Sequence, residues 1–268
     1  MPLVTNGLRN EHLGDLPVYR AEELDACPGL MHAIFTRQGG VSRAPYATLN
    51  LGHTVGDDPA AVETNHRRVF QALNVRPDQV VTAHLTHGTG VIVADGRNGG
   101  GLLGKADALV TAHIGVFLSM RFADCLPLLL HDPVRGAVGL AHAGWRGTVS
   151  NVAGAVVGAM VDQLGCRAQD ITAVIGPGIG PCCYQVGSEV IRAVEAAFDG
   201  GEPLLSRLSP QQAHLDLWRA NRRQLLAAGV GRVVVTRLCT ACHPQVFFSH
   251  RAEHGRTGRF GVVIGQRV

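Results

Sequence analysis

Apolar residues recur along the chain at two spacings, and each spacing predicts a different kind of element. Residues 57–75 carry apolar positions three or four apart, which predicts a helix with one buried face. Asp57 or Asp58 can cap this helix, and Pro59 suits its first position. Further helices are predicted over residues 150–165, 188–200 and 209–230.

Short apolar runs that end in glycine, proline or charged residues predict strands. Residues 115–132 and 136–144 are joined by Asp-Pro-Val-Arg-Gly, a turn sequence, so these two segments are predicted to pair as a hairpin. Because many strands follow one another with few helices between them, the order favours an α+β fold over an alternating α/β fold. The other predicted strands lie within residues 32–42, 79–85, 89–95, 106–112, 171–176, 232–238, 245–251 and 259–266.

Length and composition fit one large globular domain. The chain has 268 residues, of which 46% are hydrophobic and 17% charged, so disorder is not expected. We expect residues 1–30 to form a loosely structured lead-in and residues 31–268 to form a single catalytic domain.

Charge and cysteine content indicate which partners and which cellular location to expect. The net charge of +3 is small and its cations are dispersed, which argues against a nucleic-acid partner. We find no signal-peptide pattern at the N-terminus and no apolar run long enough for a membrane span. Seven cysteines, an odd number, in a chain that can fold without disulfides favour reduced thiols and a cytoplasmic location.

Cys125 and His142 lie on the two predicted hairpin segments and can therefore meet across the sheet. A thiolate and a neutral imidazole are good ligands for zinc or copper, and His84 or His87 can supply a third. Three protein ligands and one open position are typical of a catalytic zinc site. Simple burial of the thiol in the core explains the same spacing equally well.

A second interpretation makes Cys125 a nucleophile and His142 its base. Asp124 would then orient the histidine or carry a proton, although a turn residue or an ion-pair partner is the more ordinary role for that aspartate.

Four other cysteines form a Cys-Cys pair and a Cys-x-x-Cys pair. The pattern is similar to a zinc ribbon, but adjacent cysteines rarely fit one metal, and a Cys-x-x-Cys can also be a redox pair. From the sequence we therefore favour burial of some of these thiols near a pocket over a four-cysteine metal site. The four residues are Cys182, Cys183, Cys239 and Cys242.

The glycine-rich stretches do not match phosphate-binding loops. Residues 175–181 read Ile-Gly-Pro-Gly-Ile-Gly-Pro, and the prolines remove backbone amides that would hold a phosphate, so this segment is expected to shape a pocket wall. Arg37 and Arg146 offer guanidinium groups for a phosphate or ribose, and Trp145 or Tyr184 can stack on a base.

Taken together in this order, the motifs resemble the YfiH-like family, which has also been called the laccase-domain or multi-copper polyphenol oxidoreductase family. The resemblance covers residues 30–265. The motifs that carry it are FTRQGGVS, TLNLG, THGTGV, ADALVT, ADCLPLLL, AHAGWRGT, IGPGIGPCCYQVG, DLWRANRRQL, CTAC and FFSHR followed by TGR.

The resemblance implies a layered sandwich with mixed β-sheets inside and helices outside. It also implies a purine nucleoside phosphorylase with additional adenosine deaminase activity, acting on small purine nucleosides and phosphate. The zinc ligands that it implies are His87, Cys125 and His142, with copper as the other candidate metal. Cys125, His142 and Asp124 are the expected catalytic residues. Substrate contacts are expected from Arg37, Ser42, Asn50, Arg146 and Tyr184.

Two positions depart from the family pattern. Leu85 and Thr86 precede His87 where the family has Gln-Val, so a local shift could offer His84 to the metal instead. His66 stands in the first long helix where the family has arginine.

Three alternative functions remain open from the sequence. A copper polyphenol oxidase would need paired His-x-His runs, and none of the thirteen histidines forms one. A non-catalytic zinc module would close the fourth coordination position with a protein ligand. A cysteine hydrolase would use Cys125 and His142 without metal.

Overall fold

The structure is a computed structural model that describes residues 7–96, 99–199 and 203–267. Within those ranges no helix is long and apolar enough to cross a membrane. The helices are α1 (Glu22–Asp25), α2 (Pro59–Leu73), α3 (Trp145–Val149), α4 (Val152–Leu164), α5 (Ser188–Ala197) and α6 (Leu217–Ala227).

The strands form two large mixed sheets and one small antiparallel sheet. The first sheet has the order β1 (Leu8–Leu13), β2 (Leu16–Ala21), β3 (Leu30–Phe35), β16 (Phe260–Gln266), β8 (Phe117–Phe122), β4 (Val80–His84) and β6 (Gly101–Lys105). The second has the order β15 (Arg232–Val235), β11 (Thr172–Ile175), β9 (Leu126–Asp132), β10 (Ala137–Ala143), β7 (Ala108–Thr111) and β5 (Val91–Val93). The third consists of β12 (Gln185–Gly187), β14 (Gln212–Leu215) and β13 (Leu205–Ser209).

The two large sheets pack face to face, and helices cover their outer faces. One apolar cluster between the sheets joins residues such as Met120 and Leu140. A second cluster packs α4 and α6 on the second sheet, and a third packs α2 on the first. The predicted α+β sandwich, with mixed sheets inside and helices outside, is therefore confirmed.

Helix α2 and the hairpin agree with the sequence predictions. The side chain of Asp58 accepts a hydrogen bond from the backbone N–H of Ala60, and Pro59 opens α2 as predicted. Strands β9 and β10 pair in antiparallel register, which places His142 opposite Pro127.

The expectation of a loosely structured N-terminal lead-in is wrong for residues 8–25. These residues form β1, β2 and α1, and β2 pairs with β3 at the edge of the first sheet. Leu16, Val18 and Tyr19 are buried there, so the segment contributes apolar surface to the sheet and its core.

Three element predictions need correction. Residues 115–132 form two strands in different sheets, because the chain crosses between the sheets at residues 123–125. The helix predicted over 209–230 begins only at Leu217, where Asp216 caps it, because residues 212–215 pair as β14. Residues 245–251 form turns rather than a strand.

Candidate active site

Three potential metal ligands meet where the first and second sheets adjoin. His87 lies in the loop after β4, Cys125 in the crossing between β8 and β9, and His142 near the end of β10. Their ligand atoms all lie within 4.8 Å of one another. The rings of His87 and His142 meet edge to face, with their centroids 4.9 Å apart.

Cys125 owes its position to the crossing between the sheets. Asp124 adopts a positive φ of 84°, which ends β8 and turns the chain toward the second sheet. Ile179 donates its backbone N–H to the carbonyl of Asp124 over 2.8 Å, which attaches the crossing to the glycine-rich segment.

The carboxylate of Asp124 is held by the protein. Its Oδ1 accepts hydrogen bonds from the hydroxyls of Thr240 and Ser249 at 2.7 and 2.6 Å. Its Oδ2 accepts one from the backbone N–H of Arg251 at 2.7 Å. Although Asp124 lines the cavity, these three bonds favour a positioning role over the predicted catalytic one, because both oxygens already have donors.

Asp107 is a buried site residue that was not among the residues predicted from the sequence. Its carboxylate accepts hydrogen bonds from the backbone N–H groups of Thr86, His87 and Gly88 and from the Thr86 hydroxyl, at 2.6–3.1 Å. It also lies 3.0 Å from Nδ1 of His142. Burial disfavours its charge, but the bonds from His142 and Thr86 outweigh burial and hold the pKa of Asp107 below its usual range.

This network orients two of the three potential ligands. Because Nδ1 of His142 faces the carboxylate of Asp107, Nε2 is left for a metal. The same carboxylate fixes the loop that carries His87, which adopts a positive φ of 59°. A carboxylate behind a ligating histidine is the usual second partner in protein zinc sites.

The thiol of Cys125 has the chemistry of a metal ligand. Burial alone would raise its pKa, but the neighbouring imidazoles of His142 and His87 lower that pKa below the usual value. The pKa of His142 is raised, since its own burial is outweighed by Cys125 and Asp107. Without metal the pair therefore favours a thiolate and an imidazolium.

Gly144 provides the space in which the ligands converge. A Cβ atom at this position would lie 2.9 Å from the sulfur of Cys125 and 3.3 Å from Nδ1 of His87. The donor set and this tight cradle both fit a divalent metal such as zinc, and a thiolate with two imidazoles also fits copper.

The cluster opens into a cavity of about 710 Å³. Arg121 and Arg259 line it and are only partly exposed, and burial lowers the pKa of each guanidinium. Within the described part of the chain, neither guanidinium forms an ion pair with a carboxylate. Partly buried guanidinium groups without an acidic partner are suited to an anionic ligand.

Aromatic side chains form another part of the cavity wall. Trp145 begins α3 and Tyr184 follows the glycine-rich segment, and both line the cavity. The guanidinium of Arg146 lies 4.2 Å from the Trp145 ring centroid, and that of Arg251 lies 5.2 Å from the Tyr184 ring centroid. Arg146 and Tyr184 therefore stay candidates for substrate contact.

Arg37 lies outside the cavity lining, contrary to its predicted role as a phosphate or ribose ligand. Its Nη1 donates to the carbonyl of Pro244 and to Glu253, and its Nε donates to the carbonyl of Ala47. Its guanidinium also packs on the ring of Phe248. These contacts give it a structural role.

The predicted substrate contacts of Ser42 and Asn50 are also wrong, since both residues are buried and neither lines the cavity. The hydroxyl of Ser42 accepts a hydrogen bond from Asn65. The Oδ1 of Asn50 accepts a hydrogen bond from the backbone N–H of Arg259, and its Nδ2 donates one to the carboxylate of Asp57. Asn50 therefore supports the cavity indirectly by holding the segment that carries Arg259.

His84 and His66 illustrate the two departures from the family pattern. His84 lines the cavity, but the cluster of converging ligand atoms contains His87. His66 stacks on His53 and its Nε2 lies 3.1 Å from the carbonyl of Leu51, so its ring is held within the protein.

Fold and site together define an α+β protein with a His-Cys-His site of metal-binding type in a basic, aromatic cavity. The sequence profile of the family described as multi-copper polyphenol oxidoreductase laccase matches residues 31–267. The chain therefore belongs to this family, the one that its motifs resemble.

Relatives cover almost the whole chain. The purine nucleoside phosphorylase YlmD of Geobacillus stearothermophilus is 41% identical over 89% of this chain and 91% of its own. The crystal structure of YlmD from Geobacillus stearothermophilus has a TM-score of 0.92, with 37% identity, and covers 98% of this chain and 100% of that one. A purine nucleoside phosphorylase of Deinococcus radiodurans is 43% identical over 93% of each chain. The adenosine deaminase RL5, from an unknown prokaryote, is 36% identical over 89% of this chain and 95% of its own.

Proposed function

We propose that this protein is a zinc-dependent purine nucleoside phosphorylase, with adenosine deaminase as a side activity. Adenosine is the proposed main substrate, and inosine, guanosine and methylthioadenosine are further ones. The observation that carries the proposal is a His-Cys-His cluster that opens into a cavity lined by guanidinium groups and aromatic rings. The names of the relatives support the same reaction class.

The anion subsite is the part of the cavity near Arg121 and Arg259. Phosphorolysis requires a phosphate held against the anomeric carbon of the ribose while the bond to the base breaks. Two partly buried guanidinium groups can bind the phosphate oxygens through charge-assisted hydrogen bonds and orient one oxygen for attack. We assign phosphate binding to these arginines in place of Arg37.

The nucleoside subsite lies near Trp145 and Tyr184. A cavity of about 710 Å³ has the usual size for a small-molecule site. A purine can stack on either ring, and the exposed guanidinium of Arg146 at the cavity wall can reach a ribose or base edge.

We assign the metal to His87, Cys125 and His142. When bound, zinc would supply Lewis-acid polarisation of a substrate group or a more acidic water, and water activation is what deamination requires. The protein's own part is to keep Cys125 ionised and to hold His142 through Asp107, so that both present lone pairs toward the cavity. The seven free thiols suit the cytoplasm, where we place the protein.

Product analysis tests the proposal. Purified protein is incubated with adenosine in the presence and absence of phosphate, and purines and sugars are identified by chromatography and mass spectrometry. The proposal requires adenine and ribose 1-phosphate to form only with phosphate, with slower formation of inosine in either buffer. Inosine as the only product would contradict phosphorolysis and leave a deaminase.

The family's description makes polyphenol oxidation the second candidate. The same sample is therefore tested with a phenolic substrate under oxygen, after zinc and copper have been quantified. Oxygen uptake that requires copper, without any release of purine base, would favour the oxidase.

A further inference from the structure

A second group of potential ligands lies outside the residues assigned to catalysis. The sulfurs of Cys182, Cys183, Cys239 and Cys242 all lie within 4.8 Å of one another. Sγ of Cys242 is 3.5 Å from Sγ of Cys182 and 3.4 Å from Sγ of Cys183. All four thiols are free, so no disulfide accounts for the cluster.

Local structure explains how adjacent cysteines reach one point. The backbone N–H groups of Cys183 and Tyr184 both donate to the carbonyl of Gly180, which folds residues 180–184 into a tight turn. This turn directs both thiols of the Cys-Cys pair toward Cys242. The objection that adjacent cysteines rarely share a metal therefore does not hold for this chain.

The second pair is positioned by the neighbouring segment. Gly178 forms an isolated parallel bridge with Cys239, and the backbone N–H of Gly180 donates to the sulfur of Cys239 over 3.2 Å. Such an N–H to sulfur bond stabilises a thiolate and orients its remaining lone pairs. Cys242 follows at the spacing of a Cys-x-x-Cys chelating loop.

We propose that these four cysteines form a closed tetrathiolate site for a structural divalent metal, zinc by its preference for sulfur. In a tetrahedral zinc site with Zn–S bonds of about 2.3 Å, the sulfurs lie roughly 3.8 Å apart. The sulfurs of this cluster are already close to that spacing. With four protein ligands no position stays open for substrate, unlike the three-ligand site in the cavity.

The position of the cluster indicates what the metal does. It joins residues 178–184, which carry Ile179 and Tyr184 of the cavity wall, to residues 239–242. Thr240, between the two cysteines of the second pair, donates to the carboxylate of Asp124. A metal here therefore fixes the wall on which the substrate base is proposed to stack, and its loss should raise the KM for nucleoside more than it lowers kcat.

Metal analysis and cobalt spectroscopy test the site. Full-length protein is purified under reducing conditions, its zinc content is measured, and a metal-stripped sample is reloaded with cobalt(II). Variants Cys182→Ser and Cys242→Ser replace exposed side chains, and Cys27→Ser is the matched control, because Cys27 belongs to neither group of converging ligand atoms. Cys125→Ser reports on the cavity site alone.

Two metal equivalents per chain are expected in the wild type and in Cys27→Ser, and one equivalent in each of the other variants. The sulfur-to-cobalt charge-transfer absorption should fall most in Cys182→Ser and Cys242→Ser, because the cluster supplies four of the five thiolates. Unchanged metal content and absorption in both of those variants would overturn the proposal. A disulfide within the cluster of reductant-purified wild-type protein, detected as a mass deficit of two hydrogens, would also overturn it, since it would make the cluster a redox pair. If a variant fails to fold, native mass spectrometry of the wild type still decides between one bound metal and two.

Discussion

Replacing Asp107 by asparagine perturbs the metal cluster without touching its ligands. The carboxylate accepts five hydrogen bonds, divided between its two oxygens. The asparagine amide keeps one of these oxygens and places an NH2 group in the position of the other, where it faces donors instead of accepting from them. At least two bonds to a buried charge are lost, each worth about 1.5–3 kcal/mol. For two lost bonds we therefore expect the free energy of unfolding to fall by roughly 3–6 kcal/mol.

The loss should also appear in metal binding, because His142 and the loop of His87 lose their common support. Zinc affinity, measured by competition with a chelator, should fall by about 10- to 100-fold. Urea unfolding of the metal-free protein gives the stability change separately. Asp162→Asn, an exposed substitution on α4, is the control and should change neither quantity. Wild-type zinc affinity together with a stability change below about 0.5 kcal/mol in Asp107→Asn would show that Asp107 does not support the ligands.

Three further predictions follow from single contacts. Arg259→Gln should raise the KM for phosphate about 10-fold or more and leave the KM for nucleoside nearly unchanged, as measured by steady-state kinetics. An equal rise in both KM values would contradict its role in phosphate binding. Gly144→Ala should weaken zinc binding about 10-fold by displacing Cys125, whereas Gly158→Ala, whose added Cβ has open space, should not. Burial and neighbouring cations lower the pKa of His32 to about 3 in the folded protein. Because the unfolded chain binds a proton below about pH 6.5 and the folded protein does not, the free energy of unfolding should fall by on the order of 3–5 kcal/mol between pH 6.5 and pH 3. Urea titrations at several pH values should show that the free energy of unfolding falls less between pH 6.5 and pH 3 in His32→Gln than in the wild type. The same pH dependence in both proteins would exclude His32 as the cause of the acid destabilisation.

The periodic parts of the fold could be predicted because local pattern and tertiary environment agree. Helix α2 has a cap, a first-turn proline and one apolar face, and the hairpin of β9 and β10 has its own turn sequence. Segments whose structure depends on partners far away in the sequence could not be predicted. Residues 212–215 pair as a strand because β12 lies beside them, although their own sequence continues a helical pattern.

The same distinction applies to the candidate site. His142 lies on β10 and Cys125 directly precedes its partner β9, so their proximity followed from the predicted hairpin. Arg37, in contrast, donates a hydrogen bond to Glu253, which is more than two hundred positions away along the chain. No local sequence signal indicates this partner. Asp107 lies within the motif ADALVT, directly before the observed strand β7, where a polar residue at a strand end could have identified it.

Cys125→Ala shows most directly whether phosphorolysis requires the His-Cys-His cluster. Phosphate-dependent release of adenine from adenosine is measured for the wild type and the variant at matched protein concentration, with zinc content and thermal stability recorded for each. We expect the variant to lose the cavity metal and its kcat/KM to fall by at least about 100-fold, while its fold is retained. A folded variant that lacks that metal and still cleaves adenosine with phosphate at the wild-type rate would contradict this requirement.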